Sequence, residues 1–458
     1  MIRFNPITLE TKAIFDKYAS IYLRNCDAAF ANLFCWQQTY HSLYAKVCGS
    51  LVVKYRVEGS ADTAYMLLMR EFTSGNLERL IPELEADAAA DGQRLCITSL
   101  PAVAAGILHS SFGKRFACAQ NRDTADYIYT ADDIRNLTGR RYQPKRNHLN
   151  RFNDSYNWTY EPLTAAHKDE CMQLESVWQS HHSDDDTIAA ERLAIIRAFD
   201  NFEALGLVGG LLRIDGRPVA FTYGSPVNCE TFDIHVEKAD TSFEGIFPAI
   251  NRLFAQHIPE QYKYINREED MGLDGLRRSK LSYHPAALEY KYTALALNDT
   301  EQDIRALWAE VFGDDDSFIE KFLVVRRQYG IRTLTKEGGG KVVSMLHIVP
   351  FTDAEGKLTA YIYGVATDAA HRRRGYATAL LEEAMQLIRR DFDSAMLIPS
   401  GSESARLYSK FGFIQSDSLL RFETEFDFGS GNPDSDKPMI FSPEKQESAS
   451  EIHLFATK

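Results

Sequence analysis

The stretch HRRRGYATALLEEA, residues 371–384, places three arginines and a glycine directly before a helical pattern. The preceding segment LTAYIYGVAT, residues 358–367, is rich in aromatic and β-branched residues, which is typical of a strand. Apolar residues then recur at the spacing of an amphipathic helix, at Ala377, Leu380, Leu381, Ala384 and Ile388. The pattern predicts a strand, a short basic loop and a helix in direct succession.

The junction between this strand and this helix has the features of an anion-binding site. The first backbone N–H groups of a helix have no partner, and the macrodipole places partial positive charge there. Gly375 and the small Ala377 would let a ligand approach those groups closely. The arginines at 372–374 would add charge-assisted hydrogen bonds, so a phosphate or diphosphate fits. A basic surface turn without a ligand is the alternative interpretation.

The loop matches neither the three spaced glycines of dinucleotide-binding proteins nor the Gly-Lys-Ser/Thr of a Walker loop. Its spacing Arg372, Gly375 and Ala377 resembles the acyl-CoA diphosphate loop of the GNAT acetyltransferases, Arg/Gln-x-x-Gly-x-Gly/Ala. The resemblance covers residues from about 300 to 425. Its other segments are DIRALWAEVFGDDDSFIEKFLVVRR as two opening helices, KVVSMLHIVP, LTAYIYGVAT and SAMLIP as strands, and SESARLYSKFGF as a late helix.

The resemblance to the GNAT family implies acetyl-CoA as the acyl donor and assigns roles to several residues. A tyrosine in the late helix often protonates the leaving thiolate in that family, and this role maps onto Tyr408. Packing at a helix end is the other interpretation of this tyrosine. The residues implied to bind the donor are Gly364, Val365, Ala366, Arg372, Arg373, Arg374, Gly375, Tyr376 and Ala377.

The segment departs from the family pattern at two places. Gly401 occupies a position where the family often has an asparagine that touches the donor. The strand before the loop offers Tyr361 and Tyr363 but no carboxylate, so the general base is unassigned. His347 on the neighbouring strand is a candidate base, with packing in the core as the alternative.

Composition bounds the rest of the chain. A length of 458 residues predicts two to four domains, and 45% hydrophobic with 25% charged residues is typical of soluble globular proteins. We expect no transmembrane segment, and because the start MIRFNPITLETK lacks a signal-peptide core, we expect a cytoplasmic protein. Seven scattered cysteines between Cys26 and Cys229 predict reduced, mostly buried thiols. The net charge of -13 argues against nucleic-acid binding by the whole surface, though a local basic patch stays compatible with it.

Three segments are interpreted as structural. SHHSDDD, residues 180–186, resembles a metal cluster, but consecutive ligands cannot all converge on one ion, so we expect a solvated loop and no metal. EGGGK near residue 340 predicts a hairpin turn. Residues 426–458 predict a polar acidic tail with one short docking strand.

The N-terminal part contains one basic and one densely charged segment. RNLTGRRYQPKRNHLNRF, residues 135–152, forms a local positive patch that is either a linking helix or an anion site. YINREEDMGLDGLRRSKLSYHP, residues 264–285, combines charge with turn residues after a predicted strand, which is typical of a site. With the strand end before it, we predict a second polar site at His235, Glu237, Lys238, Glu269, Asp270, Arg277 and Lys280. Mutual neutralisation of these charges is the alternative.

The His-Val-Glu-Lys strand, the Asn-Arg-Glu-x-Asp-x-Gly-x-x-Gly-Leu-Arg run and the Lys-x-Ser-Tyr-x-Pro ending resemble the phosphatidylglycerol lysyltransferase C-terminal-like family. The resemblance covers nearly all of residues 1–295 and implies two GNAT-like subdomains in tandem, with a break near 135–160. With the C-terminal domain at 298–425, the chain is then an α/β protein of three GNAT-like units with mixed sheets. The resemblance includes Fem-type transferases, which take an aminoacyl group from tRNA.

These observations lead to one leading hypothesis and two alternatives. The leading hypothesis is an acyl-CoA-dependent N-acyltransferase that moves an acetyl group from acetyl-CoA to a primary amine of a small molecule or peptide. The N-terminal module would bind the acceptor or carry a second acyl-transfer site. The alternatives are an aminoacyl-tRNA-dependent aminoacyltransferase and a non-catalytic sensor that binds acyl-CoA.

Overall fold

The computed structural model describes residues 2–20, 23–57, 59–179, 186–424, 426–428, 437–442 and 451–456. The chain forms two compact units. Unit 1 comprises Met1–Ser111 and Gln120–Thr293, and unit 2 comprises Phe112–Ala119 and Ala294–Lys458. The segment SHHSDDD begins outside the described residues, and the helix that follows it starts at Asp186.

The strands of the described residues up to the second unit's main segment are β1 (Asn5–Pro6), β2 (Leu43–Val47), β3 (Ser50–Arg56), β4 (Thr63–Leu68), β5 (Cys96–Leu100), β6 (Phe116–Gln120), β7 (Asp126–Thr130), β8 (Trp158–Pro162), β9 (Val208–Ile214), β10 (Arg217–Pro226), β11 (Thr231–Ala239), β12 (Tyr264–Asn266), β13 (Ala287–Glu289) and β14 (Tyr292–Ala296). Those that follow are β15 (Arg332–Gly338), β16 (Lys341–Asp353), β17 (Leu358–Thr367), β18 (Ser394–Leu397), β19 (Ile414–Gln415), β20 (Leu419–Glu423), β21 (Met439–Phe441) and β22 (Glu451–Ala456).

The helices of the described residues before residue 298 are α1 (Lys12–Phe15), α2 (Phe30–Cys35), α3 (Gln37–Tyr40), α4 (Ser74–Ala90), α5 (Ala102–Phe112), α6 (Ala131–Asn136), α7 (Gln143–Ser155), α8 (Lys168–Gln179), α9 (Asp186–Asp200), α10 (Phe202–Leu205), α11 (Ile246–His257) and α12 (Asp274–Leu281). Those that follow are α13 (Asp299–Phe312), α14 (Asp316–Val325), α15 (Tyr376–Asp391) and α16 (Ser402–Ser409).

Unit 1 contains two runs of paired strands. Strands β1 to β5 lie side by side in chain order, and a second sheet has the order β13-β7-β12-β11-β10-β9-β8. Each run has one parallel pair, β4 with β5 and β11 with β12, while the other pairs with a defined register are antiparallel. Helices α4 and α11 make the crossovers between the parallel strands, as parallel pairing requires.

Unit 2 is built on a sheet with the order β19-β21-β18-β17-β16-β22-β20, and β15 pairs with β16. The β15–β16 hairpin turns at the predicted EGGGK segment. Helix α15 crosses from β17 to its parallel neighbour β18, so the predicted strand, loop and helix are confirmed. The helix buries the apolar face that its spacing predicted, with Leu380, Leu381, Ala384, Met385 and Ile388 inside.

The C-terminal residues contribute more structure than their composition predicted. Strand β21 pairs with β18 and β19, and β22 pairs with β16 and β20. The described part of residues 426–458 therefore supplies two strands of the sheet, where the sequence predicted a polar tail with one. The apolar alternation in MIF and EIHLFA is too short to stand out among the polar residues around it.

The architecture is α/β with mixed sheets, as predicted, and the same strand–helix–strand crossover occurs in each of the three strand runs. The count of three GNAT-like units, with its internal break near 135–160, stays a prediction. No described helix is both long enough and apolar enough to cross a membrane. All seven cysteines are unpaired thiols, but three are buried, two half-buried and two exposed, so the prediction that most are buried was too strong.

Candidate functional site

The loop before α15 has room for a ligand. Gly375 is the N-cap of the helix, and its φ of +83° lies in the left-handed region that favours glycine. A β-carbon placed there would meet no atom within 4 Å. Arg372, Arg373 and Arg374 are exposed beside it, and Arg373 itself has a left-handed φ of +61°. The helix start thus has room at Gly375, and three exposed arginines directly precede it in the sequence.

A second glycine in unit 1 begins a helix in the same way but is closed. Gly245 is the N-cap of α11 with a φ of +81°. A β-carbon there would lie 2.7 Å from the carbonyl oxygen of His148 and 3.2 Å from Phe152, both on α7. Because α7 packs against Gly245, a β-carbon has no room at this helix start, whereas one has room at Gly375.

Strand β17 separates from β18 just before the loop. The parallel pairing covers only Thr359–Tyr361 of β17. Further along, β17 pairs with β16 alone, and a bulge opposite Leu346 contains Gly364, which has a φ of +62°. Gly364 and Val365 form the bulge, and Ala366 pairs with Met345 again. The register between β17 and β18 ends at Tyr361, so β18 does not pair with these three residues.

Tyr408 lies on α16 in the core of unit 2, 7% exposed, with its ring centre 6.4 Å from that of Phe413. Burial raises the pKa of Tyr408 to about 12. The phenol therefore keeps its proton at neutral pH, as a general acid must. Its location is compatible with both predicted interpretations, proton donation and packing.

His347 is packed beneath the bulge and is unsuited to act as the base. Its Nδ1 lies 2.9 Å from the hydroxyl of Thr333, and its ring centre lies 4.6 Å from that of Phe322. Burial, together with the charge of Arg326, lowers the pKa of His347 to about 3. A fully buried imidazole of this kind stays neutral and packs in the core, which is the alternative that the sequence left open.

Tyr363 is a half-buried polar residue on β17. Burial raises the pKa of Tyr363, and the negative charges of Asp314 and Asp427 raise it further. These two carboxylates belong to segments that sequence reasoning did not connect with the strand. Their charges act on the phenol of Tyr363. The general base stays unassigned.

Unit 1 contains a buried polar group that we name the His235 cluster: Asn32, Ser225, Asp233, His235 and Glu268. Nδ1 of His235 lies 3.2 Å from Asp233 Oδ2 and 3.4 Å from Glu268 Oε1. Nε2 lies 2.7 Å from the hydroxyl of Ser225. The amide nitrogen of Asn32 donates to Glu268 at 3.0 Å. Both imidazole nitrogens therefore have polar partners inside the unit.

The charged members of the His235 cluster change one another's pKa values. Burial alone would lower the pKa of His235, but Asp233 and Glu268 raise it to about 9. Burial and the neighbouring Asp233 raise the pKa of Glu268 to about 7. Burial likewise raises the pKa of Asp233. At neutral pH the imidazole is therefore protonated, and the cluster exchanges protons within the range where general acids and bases operate.

Glu268 is held in an unfavourable backbone conformation, and Lys280 is the residue that holds it. The φ of Glu268 is +54°, in the left-handed region. The ammonium of Lys280, which is buried, donates to the carbonyl oxygens of Arg267 and Glu269 at 2.5 Å each. Because its ammonium hydrogen-bonds to the chain on both sides of Glu268, Lys280 positions that carboxyl toward His235.

A second buried group, the Lys291 cluster, contains Cys26, Asp27, Asp126, Glu269 and Lys291. The ammonium of Lys291 lies 2.9 Å from Asp126, 3.3 Å from Asp27, 3.4 Å from Glu269 and 3.2 Å from the sulfur of Cys26. Burial and the charge of Asp126 raise the pKa of Cys26 well above its usual range. The thiol is therefore neutral and is not an activated nucleophile.

The remaining residues predicted for this site form ordinary ion pairs. Asp270 is buried and accepts hydrogen bonds from Arg277 at 2.8 Å and from Arg122 at 3.1 Å. Although burial opposes it, the hydrogen bonds from Arg277 and Tyr127 lower the pKa of Asp270. The predicted alternative of mutual neutralisation thus describes Asp270 and Arg277 well.

Two strand residues of the predicted site point to different places. Glu237 stands opposite Thr222 and pairs with Arg267 at 3.1 Å. Because a bulge at His235 interrupts the alternation of β11, Glu237 lies on the opposite face of the sheet from Asp233 and its partner His235. Lys238 lies on the face of Asp233 and pairs with Glu191 at 2.8 Å. The structure therefore does not bring Glu237 or Lys238 into the His235 cluster.

The described residues include two groups whose atoms have the spacing of metal ligands, Cys26 with Asp126 and Glu269, and Asp233 with His235 and Glu268. In the first group the ammonium of Lys291 contacts all three members. In the second the protonated imidazole supplies the positive charge.

The basic patch at residues 135–152 lies partly on α7. Arg141 pairs with Asp133 at 3.0 Å, and Arg151 pairs with Glu244 at 2.8 Å. All four side chains except Asp133 are more than half exposed. Exposed pairs of this kind are worth little, so these arginines can exchange their partners for a phosphate.

One member of the patch borders the polar site. The ammonium of Lys145 lies 3.9 Å from the centre of the Tyr283 ring. Burial and the nearby charge of Arg267 lower the pKa of Lys145 to about 8. The patch therefore adjoins the charged segment 264–285. Unit 1 also has a cavity lined by Ser225, and no described residue of the patch is among its lining residues.

Sequence reasoning missed several members of both clusters. Ser225 and Asp233 stand in strands that are buried over most of their length, and period-2 alternation cannot tell a buried polar residue from a solvated one. Cys26 and Lys291 are 265 positions apart in the sequence, yet their side chains touch. A signal was present only for Glu268, which stands inside the charged run that the sequence singled out.

Comparisons with known proteins agree with this division. Residues 18–295 match the family described as phosphatidylglycerol lysyltransferase, C-terminal, and residues 293–415 match an acetyltransferase (GNAT) domain. A crystal structure of a conserved protein of unknown function from Bacteroides thetaiotaomicron VPI-5482 is similar, with 40% identity and a TM-score of 0.61. That alignment covers 65% of this chain and 100% of the other.

Two further relatives are more distant. The structure of L-PGS from Bacillus licheniformis has 15% identity and a TM-score of 0.43, and covers 58% of this chain and 91% of that one. An uncharacterized protein of Mycoplasmoides gallisepticum is 26% identical over 181 residues, which is 38% of this chain. The chain spans 56% of the length of that curated relative. Because the family match covers more than half of its length, the chain belongs to the phosphatidylglycerol lysyltransferase C-terminal family, and a GNAT domain follows.

Proposed function

We propose that unit 2 transfers an acetyl group from acetyl-CoA to a primary amine of a small molecule or peptide. The observation that carries the proposal is the open helix N-terminus at Gly375 with three exposed arginines beside it. A diphosphate would accept hydrogen bonds from the backbone N–H groups of Tyr376 and Ala377 and from the guanidinium groups of the loop. By contrast, the helix start at Gly245 in the same chain has no room for a β-carbon.

The separated edge of β17 fits the rest of the donor. An extended pantetheine arm would pair with the backbone of Gly364, Val365 and Ala366, which β18 does not use. The amine attacks the thioester carbon, so a C–N bond forms and the C–S bond breaks. Tyr408, protonated because burial raises its pKa, would deliver a proton to the leaving sulfur.

Unit 1 would bind the acceptor or carry a second acyl-transfer site. Its buried clusters have paired carboxyl groups, and its family is named for a transferase. The contribution of unit 1 is separable from that of unit 2 by mutation, because the two sets of residues do not overlap.

Calorimetry on the full chain tests donor binding. Acetyl-CoA and CoA should both bind the wild-type protein, and Gly375→Asp should abolish binding because the carboxylate fills the space and repels the diphosphate. Gly356→Asp is the matched control, since Gly356 lies in unit 2 with a φ of +81° and no atom within 4 Å of a β-carbon. Equal affinity in both variants, or no heat with wild type, would contradict the proposal.

Turnover separates an enzyme that uses acetyl-CoA from a sensor that only binds it. The wild-type protein should acetylate members of a panel of small amines and peptides, detected by mass spectrometry, and Gly375→Asp should not. Donor binding without any acetylated product across the panel would instead favour the sensor.

Aminoacyl transfer from tRNA is a second candidate for unit 1, favoured by the position of the basic patch. Lys145 touches Tyr283 in the charged segment, and Arg141 and Arg151 are exposed. Binding of aminoacyl-tRNA should then weaken steeply with salt, with a smaller slope in Arg141→Ala/Arg151→Ala. Binding that is indifferent to salt would remove this candidate.

A further inference from the structure

Three residues of the His235 cluster form a chain of polar contacts across one sheet. The hydroxyl of Ser225 lies 2.7 Å from Nε2 of His235, and Nδ1 of the same ring lies 3.2 Å from Asp233 Oδ2. A hydroxyl, an imidazole and a buried carboxylate in this order are the arrangement that activates a nucleophilic serine, whichever fold carries it. The mechanism proposed for unit 2 uses none of these residues.

The strand register explains why the three side chains converge. Ser225 on β10 stands opposite Asp233 on β11, so both point to the same face of the sheet. The register shifts between Tyr223 and Gly224, which leaves His235 as the extra residue of a bulge. Gly224 is required there, because a β-carbon would lie 1.9 Å from the carbonyl oxygen of Asp233.

Asp233 is retained in this position at an energetic cost. It is fully buried, and its second oxygen, Oδ1, has no hydrogen-bond partner among the described residues. A buried acceptor without a partner costs about 1–3 kcal/mol, so a purely structural role for this carboxylate is expensive.

Ser225 also stands in the wall of a cavity of about 350 Å³ in unit 1. Most of the other lining side chains are apolar, among them Phe15, Leu23, Phe30, Leu68, Val227 and Tyr262. Lys12 and Asp16 line it as well, and both are partly exposed to solvent. The volume lies at the lower end of the range for small-molecule sites, and the lining suits an apolar group.

We propose that Ser225 is a nucleophile that accepts an acyl group from an ester or thioester of a small apolar carboxylic acid, with His235 as general base and Asp233 as its positioning residue. The cavity beside Ser225 would hold the acyl group. This activity lies in unit 1 and does not depend on acetyl-CoA binding in unit 2.

The reaction balances in two steps. The Ser225 oxygen bonds to the acyl carbon, its proton passes to Nε2 of His235, and that proton then leaves on the alcohol or thiol released from the acyl group. In the second step water or an acceptor hydroxyl attacks the acyl-serine carbon. His235 takes the proton of the attacking group and returns it to the Ser225 oxygen.

The charges around His235 set the pH at which it can act as a base. Asp233 and Glu268 face it directly, Glu269 and Lys291 lie in the adjoining cluster, and the ring of Tyr223 lies 6.4 Å away. Because its pKa is about 9, Nε2 carries a proton at neutral pH and becomes an acceptor only at alkaline pH. The rate of acylation should therefore rise with pH and level off above about 9.

Diisopropyl fluorophosphate tests the proposal on the full chain. One diisopropylphosphoryl group should attach to wild-type protein at pH 9.5, peptide mapping should place it on Ser225, and Ser225→Ala should remove it. Ser20→Ala is the control, because Ser20 lines the same cavity and its hydroxyl donates to the carbonyl oxygen of Arg70 instead of an imidazole. That variant should be labelled like wild type.

The role of the imidazole has its own readout. His235→Gln should slow labelling about 10²-fold or more and abolish the rise with pH, while circular dichroism confirms that the variant is folded. Gly375→Asp should be labelled at the wild-type rate, so a failure of the acetyl-CoA site and a failure of the serine site are distinguishable. Absence of labelling in folded wild-type protein at pH 9.5, labelling at another residue, or a rate independent of His235 would overturn the proposal.

Discussion

The ammonium of Lys291 lies 2.9 Å from a carboxylate oxygen of Asp126, and both side chains are buried. Burial would lower the pKa of Lys291, but Asp126 and the other acidic members of its cluster raise it well above its usual range. Burial raises the pKa of Asp126 well above its usual range, and the charge of Lys291 opposes that rise. Because each group favours the charged form of the other, loss of Lys291 would leave the buried carboxyl without that opposite charge, held by the hydrogen bonds from the Cys26 N–H and the Asn266 amide.

The first prediction concerns this pair. Lys291→Met should lower the free energy of unfolding by about 3–5 kcal/mol, because it leaves Asp126 buried and uncompensated. Urea unfolding of the full chain measures it. Lys168→Met removes an ion pair with Asp200 in which both side chains are about one-third exposed or more, and should change the midpoint little. Equal effects of the two substitutions would show that the Lys291 pair adds nothing to the free energy of unfolding beyond what an exposed ion pair adds.

The second prediction concerns the residue that holds Glu268. Lys280→Met keeps the length of the side chain but leaves the carbonyl oxygens of Arg267 and Glu269 without their donor. We expect a loss of about 2 kcal/mol or more in urea unfolding. We also expect faster labelling of Ser225 at neutral pH, since without Glu268 held against it the pKa of His235 falls and Nε2 becomes an acceptor at lower pH. A variant as stable and as reactive as wild type would show that Lys280 does not position Glu268.

The third prediction separates the two interpretations of Tyr408. Tyr408→Phe should lower kcat for acetyl transfer about 10²–10⁴-fold and leave the Kd for acetyl-CoA nearly unchanged, because only the proton donor is lost. Tyr329→Phe is a matched control, with the same 7% exposure in unit 2 and no predicted role. If Tyr408→Phe weakens binding and turnover alike, or neither, Tyr408 packs and does not donate a proton.

The fourth prediction concerns pH and stability. The pKa of His235 is about 9 in the folded protein, above the value of about 6.5 for an exposed histidine. His235 therefore contributes stability that is fully present below about pH 6.5 and is lost as the pH rises through 9. The difference corresponds to roughly 3 kcal/mol.

Urea unfolding at pH 6.5 and pH 9.5 measures this contribution. The loss of stability between the two pH values should be smaller in His235→Gln than in wild type. His109→Gln, at an exposed position on α5, should lose as much as wild type. A loss in His235→Gln equal to that of wild type would show that the imidazole is not held by its carboxylates.

The sequence by itself determined the local elements around residues 358–391. The period-2 and period-3.6 patterns correctly indicated β17 and α15, because each pattern lies within one element and depends on neighbours a few positions apart. The open loop between them followed from the small residue at Gly375 and the charges before it. The same reasoning misjudged residues 426–458, where strands β21 and β22 exist because β18 and β16 offer them an edge.

Only the tertiary structure decided which polar side chains meet in unit 1. Ser225, His235 and Asp233 converge because a bulge shifts the register of β10 against β11, and nothing in the sequence of either strand announces that shift. Lys291 reaches Cys26 across 265 positions because the fold buries both in one place. The same holds for the two glycine junctions: Gly245 and Gly375 begin helices in the same conformation, and α7 closes one while the other stays open. Local patterns specify elements, whereas burial, register and the packing of distant segments decide which of them can bind and react.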